Sequence, residues 1–93
     1  MPLFDQPDRR FAEFHAANPH VYAALRRFAL EARRGGIRRI GIRMVWERMR
    51  WHIETERPEG EWRLNNNYTR HYARLLMKQE PELDGLFETR DRA

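Results

Sequence analysis

The chain has 93 residues, no cysteine and a formal net charge of +4. A chain of this length buries one small core, and without cysteine it has neither a disulfide framework nor a thiolate metal site. No stretch approaches the roughly 20 consecutive apolar residues that a membrane-spanning helix needs. We therefore expect one small domain over residues 1–93, working in the cytoplasm.

The basic residues are unevenly distributed along the chain. Residues 33–52 contain seven arginines and one glutamate, and residues 65–78 contain three basic residues and no acid. Acidic residues are concentrated in residues 53–64 and 79–93. Segregated charge predicts a positive face and makes nucleic acid the first partner to consider. The alternative is an ordinary solvated helix surface in a chain that uses arginine in place of lysine throughout.

The first residues predict an extended lead-in before a short helix. Residues 1–8 contain two prolines and two aspartates, which disfavour a regular start. Pro7 and Asp8 together give a plausible helix start. We expect the first helix to end at about Ala17.

A second helix is predicted from Pro19 to about Arg34. Asn18 is a favoured N-cap residue, and proline suits the first helical position because its fixed φ is already helical. Gly35 and Gly36 follow, and glycine readily adopts the left-handed conformation that ends many helices. These signals are typical of a helix with both ends specified.

A central helix is predicted from about Arg39 to Trp51 or His52. On a helical wheel, four apolar side chains lie within roughly 60° of Ile42 and form one buried stripe; they are Val45, Trp46, Met49 and Ile53. Met44 and Trp51 lie on the opposite, outward face. We expect them to pack on the segment that follows; the alternatives are a dimer contact and a surface for another partner.

The segment that follows predicts a small β-hairpin. Residues 52–55 and 61–64 read as short extended pieces around the turn residues Pro58, Glu59 and Gly60. The hairpin would precede the last helix and would act as the wing of a winged-helix-like fold.

The last helix is predicted from Tyr68 to Gln79. The three asparagines at 65–67 supply N-cap chemistry, and Pro81 ends the helix. Its basic residues recur at i, i+4 and i+8 and form a ridge; they are Arg70, Arg74 and Lys78. The apolar residues expected to fold the tail back onto the core are Leu83, Leu86 and Phe87, with residues 88–93 fraying.

Three short motifs carry a family resemblance. They are Phe14-His15 with Asn18-Pro19, the run from Trp46 to Trp51, and Leu64-Asn65-Asn66-Asn67-Tyr68 with Tyr72-Ala73-Arg74. Over about residues 11–90 the chain resembles a family of small uncharacterised proteins encoded by bacteriophages and prophages. The resemblance implies work inside a bacterial host, and it carries no activity, cofactor or functional residue that could be transferred.

No motif in the sequence indicates catalysis or metal binding. The four histidines are scattered, and no two of them share a helical face near a carboxylate. Glycine-rich phosphate loops, nucleophile elbows and paired carboxylates are also missing. We expect no enzyme activity, no cofactor and no metal.

The predicted fold is mainly α: a small four-helix domain with a short β-hairpin before the last helix, with helix-turn-helix-like or winged-helix-like character. Its core should include Leu25, Phe28, Trp46, Met49, Tyr72 and Leu75. Either the third or the fourth helix could enter a DNA groove.

The function predicted from the sequence is non-enzymatic binding of double-stranded DNA, in a regulator or architectural role. The expected contacts are Arg33, Arg34, Arg38 and Arg39 with phosphates, Arg43 and Arg48 in the groove, Asn66 and Asn67 with a base edge or phosphate, and Arg70, Arg74 and Lys78 with the flanking backbone. The alternative is a protein-binding module that inhibits or redirects a host protein, with Met44 and Trp51 as its contacts. The oligomeric state is left open by the sequence.

Overall fold

The chain forms four helices in a computed structural model that describes residues 2–56 and 68–88. The helices are α1 (Pro2–Ala17), α2 (Pro19–Arg34), α3 (Ile42–Glu56) and α4 (Thr69–Gln79), and a 3₁₀ turn, Pro81–Leu83, follows α4. Within these two ranges the only β pairing is an isolated parallel bridge between Ile40 and Phe87. The prediction of a mainly helical domain is confirmed.

The prediction of an extended lead-in over residues 1–8 is wrong for residues 2–8. These residues are helical, and α1 begins at Pro2. Proline interrupts a helix by lacking an N–H, but at the first helical position that N–H has no partner to lose. Pro2 occupies this position, and Pro7 costs α1 one hydrogen bond without ending it. The end of α1 at Ala17 matches the sequence prediction.

Helix α2 has the predicted bounds, although its start is stabilised differently. The Asn18 side chain makes no capping bond to α2; its Nδ2 donates to the Phe14 carbonyl at 2.9 Å, which satisfies the end of α1 instead. At the other end, the Gly36 N–H donates to the Arg33 carbonyl and the Ile37 N–H to the Ala32 carbonyl, both at 3.0 Å. This is a Schellman motif, and Gly36 supplies its left-handed residue with φ +100°.

Helix α3 starts later and ends later than predicted. Residues 52–55, expected as the first strand of a hairpin, are part of α3. Ile53 continues the buried stripe of the helix, and the His52 Nε2 lies 2.8 Å from the Glu56 carboxylate one turn later. The hairpin prediction is therefore wrong for its first strand, and its turn and second strand lie outside the described residues. At the start, Ile40 is not helical because its N–H donates to the Leu86 carbonyl at 3.0 Å.

The core lies between α2, α3 and α4 and is closed by the segment after α4. Leu83 and Leu86 are fully buried, which confirms that the tail folds back. Of the six residues predicted to share the core, five are buried and Leu75 is partly buried against them. Helix α4 has Tyr68 at its N-cap with no side-chain capping bond, and the asparagines at 65–67 fall in the part of the chain left undescribed.

Candidate nucleic-acid interface

Arg33, predicted to hold a phosphate, is bound to the protein's own main chain. Its Nε donates to the Glu82 carbonyl at 2.9 Å, and its two terminal nitrogens donate to the Asp84 carbonyl at 2.6 Å and the Arg38 carbonyl at 3.0 Å. Arg33 thus joins the end of α2, the loop before α3 and the segment after α4. Three of its five N–H groups are therefore used in short hydrogen bonds within the protein.

Arg34 is neutralised by an acid that is distant in sequence. Its guanidinium makes a two-point contact with the Glu82 carboxylate, at 2.8 and 3.0 Å. This hydrogen bonding lowers the pKa of Glu82 below its ordinary value and raises the pKa of Arg34. Arg26 is also paired with an acid, through a single contact of its Nε with the Glu80 carboxylate at 2.6 Å.

Arg48, predicted to reach a DNA groove, also has contacts within the protein. Its terminal nitrogen lies 3.4 Å from the Glu31 carboxylate, and its guanidinium carbon lies 4.6 Å from the centre of the Phe28 ring. A cation over an aromatic face is attracted by the ring quadrupole. Arg48 is therefore held against α2.

Arg38, Arg39 and Arg43 are exposed, and their side chains have no acidic partner among the residues that the structure describes. Arg38 and Arg39 lie in the loop between α2 and α3, and Arg43 lies in the first turn of α3, which contains no acid. The first turn of a helix carries a partial positive charge and N–H groups without helical partners. The three arginines and this helix end together make a cationic region of the described surface.

The predicted basic ridge on α4 is exposed along its length. Arg70 and Lys78 have no acidic partner within residues 2–56 and 68–88, whereas Arg74 interacts with another group of the chain. Asn66 and Asn67 lie outside the described residues. The second basic group is therefore Arg70 and Lys78.

Met44 and Trp51 are exposed to 67% and 70%, although both were expected to pack on the following segment. The part of that segment that is described, residues 52–56, belongs to α3 and does not fold back on them. Between them in sequence, Arg50 lies 3.5 Å from Glu47 and 3.6 Å from Glu54. The middle of the outward face of α3 is therefore mixed in charge rather than basic.

Several aromatic rings form a cluster around Tyr72. The sequence predicted Trp46 and Tyr72 as core residues, but it did not predict the cluster. The rings of Phe11, His15, Tyr22 and Trp46 all lie 4.7–6.4 Å from that of Tyr72. The Tyr72 hydroxyl is buried without a hydrogen-bond partner in the described structure, and burial raises its pKa. Because the residues of this cluster come from four helices, only the fold brings them together.

Residues 2–56 and 68–88 contain neither a candidate metal site nor a candidate membrane span. No group of three or more histidine, aspartate and glutamate side chains is placed to hold a metal ion. No helix there has the length and apolar character required to span a membrane.

Comparisons of the chain with models of protein families, with curated proteins and with solved structures found no match.

Proposed function

We propose that this protein binds double-stranded DNA without catalysis, through phosphate contacts made by Arg38, Arg39 and Arg43. The observation that carries the proposal is that these three arginines are exposed and have no acidic partner in the described structure, whereas Arg26 and Arg34 are paired with acids. Unpaired guanidinium groups next to a helix N-terminus are a favourable environment for a phosphate.

Arg70 and Lys78 supply a second group of cations on α4. Together with Arg38, Arg39 and Arg43 they allow about five phosphate contacts, which is typical of non-specific or weakly specific DNA binding. Phosphate contacts fix position and orientation but do not read sequence. A regulator or architectural protein of phage or prophage origin, as the family resemblance implies, is the role that we propose for such a surface.

The mode of binding that we propose does not require a winged helix. The α2–α3 connection spans residues 35–41, which is longer than the three- or four-residue turn of a helix-turn-helix motif. Residues 52–55, proposed as the start of a wing, are helical. Contacts from the loop and the start of α3 to the DNA phosphates therefore have better support than insertion of a whole helix into the major groove.

The salt dependence of binding tests the proposal. Affinity for a random duplex should fall with a log–log slope of about −4.5 for about five contacts, a loss of several hundredfold over a fourfold rise in salt. The double variant Arg38→Ala with Arg39→Ala should reduce the magnitude of the slope by about 2. Arg26→Ala is the matched control, since Arg26 is bonded to Glu80 and should leave the slope unchanged.

Two results would contradict the DNA proposal. One is the absence of binding at low salt, where even a non-specific basic surface retains DNA. The other is an equal effect of the Arg26 control and the double variant. Either result would favour the second candidate function, a module that binds a host protein, for which the exposure of Met44 and Trp51 is the supporting observation.

A further inference from the structure

The outward face of α3 carries charges in an order that is complementary to itself. Arg43, Glu47, Arg50 and Glu54 follow one another at i, i+4, i+7 and i+11, which places them along one shoulder of the helix. Their signs are plus, minus, plus and minus. When the helix is turned end for end about a point midway between Arg48 and Met49, each positive side chain takes the position of a negative one, and each negative side chain takes the position of a positive one.

We propose that α3 pairs with α3 of a second copy of this chain in an antiparallel, two-fold symmetric dimer centred at that point. In such a pair, equivalent shoulders of the two helices face each other. Arg43 then lies opposite Glu54 of the partner subunit, and Glu47 lies opposite Arg50 of the partner subunit. Two-fold symmetry repeats both contacts, so the interface contains four pairs of opposite charge.

The apolar residues of the face meet in the same register. Met44 and the partner's Trp51 are offset by about 3 Å along the axis at a rise of 1.5 Å per residue, so their side chains are in reach of each other. Along the helix axis, Trp51 of the partner subunit lies between Met44 and Arg48. Met44 and Arg48 line an apolar cleft together with Ile37 and Val45. A tryptophan beside such a cleft is a common anchor of a protein interface.

The charge order also selects against other arrangements. A parallel pair in register would place Arg43 against Arg43 and Glu47 against Glu47 of the partner subunit, and like charges destabilise a pair of helices. The existing contacts of Arg50 with Glu47 and Glu54 are long, at 3.5 and 3.6 Å, and join exposed groups. Exchanging them for contacts across the dimer costs little, because exposed ion pairs are weak.

The dimer does not rest on the proposed DNA binding. It uses Arg43 but leaves Arg38, Arg39, Arg70 and Lys78 free for phosphates. Because one helix pair buries a small area, the dimer belongs among weak, concentration-dependent complexes. Sedimentation over a concentration series at low salt, up to about 1 mM, is therefore the appropriate measurement.

Charge reversal at the two ends of the interface tests the register. Arg43→Glu or Glu54→Arg alone should weaken dimerisation about tenfold, since each removes two attractive pairs and creates two repulsive ones. The two reversals together should restore dimerisation to within about threefold of the original. Both positions are exposed, so folding should be unaffected; Glu13→Arg on α1 is the matched control and should change nothing.

Cysteine crosslinking tests the direction of the pairing, because the chain has no native cysteine. Glu47→Cys places a thiol on the facing shoulder, about 4.5 Å along the axis from its counterpart, and should form a disulfide dimer on oxidation. Arg43→Cys should not, because its counterpart lies about 16 Å away along the axis. Equal crosslinking at both positions would indicate a parallel pair and overturn the proposal. A protein that stays monomeric over the whole series, or a reversal that its partner change does not rescue, would also overturn it.

Discussion

Arg33 is expected to stabilise the fold rather than bind a ligand, so Arg33→Ala should lower the free energy of unfolding. The guanidinium makes three bonds of 2.6, 2.9 and 3.0 Å to main-chain carbonyls, and a fourth contact, to the Ile37 carbonyl, is 3.5 Å long. Counting only the three short bonds, at the lower end of the usual contribution because they are exposed, gives a loss of about 2 kcal/mol. For a domain of this size that corresponds to a fall in Tm of roughly 8–16 °C.

Two further variants separate the geometry of Arg33 from its charge. Arg33→Lys keeps the charge but has a single ammonium group in place of the planar fork, so it should recover at most about a third of the stability. Arg39→Ala removes an exposed arginine with no acidic partner in the described structure and should change the free energy of unfolding by less than about 0.5 kcal/mol.

Thermal and denaturant unfolding, followed by circular dichroism, provides the measurement. If Arg33→Ala melts within about 3 °C of the parent and matches Arg39→Ala, the main-chain contacts do not hold the segment after α4 and the structural role of Arg33 is refuted. Salt titration of DNA binding gives an independent check, since the log–log slope of a folded Arg33→Lys variant should equal that of the parent protein.

Three other perturbations follow from the structure. Tyr72→Phe should leave the free energy of unfolding unchanged or raise it slightly, because the hydroxyl is buried without a partner in the described residues, whereas Tyr72→Ala should lower it by about 3–5 kcal/mol. Trp46→Ala should cost a similar amount, since Trp46 is 1% exposed, and an unchanged Tm in this variant would remove α3 from the core. The pKa of Glu82 is lower in the folded state, so its contribution to stability is present above about pH 4.5 and is lost as the pH falls through the native value. Glu82→Gln should therefore be less stable than the parent near neutral pH, and the two proteins should become equally stable in acid. Equal denaturation midpoints near neutral pH would show that the Arg34 contact contributes nothing.

The helices whose ends depend on local chemistry could be predicted from the sequence. Pro19 and the Gly35–Gly36 pair fix both ends of α2, and the spacing of Trp46 and Met49 fixes the buried face of α3. The end of α3 could not be predicted, because Ile53 fits equally well on a strand or on one more turn of a helix. Its start depends on the contact of Ile40 with Leu86, which only the folded tail supplies.

The candidate site was predicted less well than the fold, because charge counted by segment does not describe charge in space. Residues 33–52 appear strongly basic in sequence, yet Glu82 from the tail neutralises Arg34 and Glu31 from α2 lies beside Arg48. The acidic tail and the basic segment are separated in the chain but adjacent in the fold. Among the arginines of residues 33–52, those that contact neither an acid nor a main-chain carbonyl in the described structure are those in the loop and the first turn of α3.

The loop that carries Arg38 and Arg39 is held at several points of its backbone. The Schellman motif fixes Ile37, Arg33 binds the Arg38 carbonyl, and Ile40 is bonded to Leu86. A loop ordered in advance gives up little backbone entropy when it binds, so its arginines lose mainly side-chain freedom. For the proposed interface, the segment that buries Leu86 thus contributes to affinity from a distance: loosening it would weaken binding without removing a single contact to the ligand.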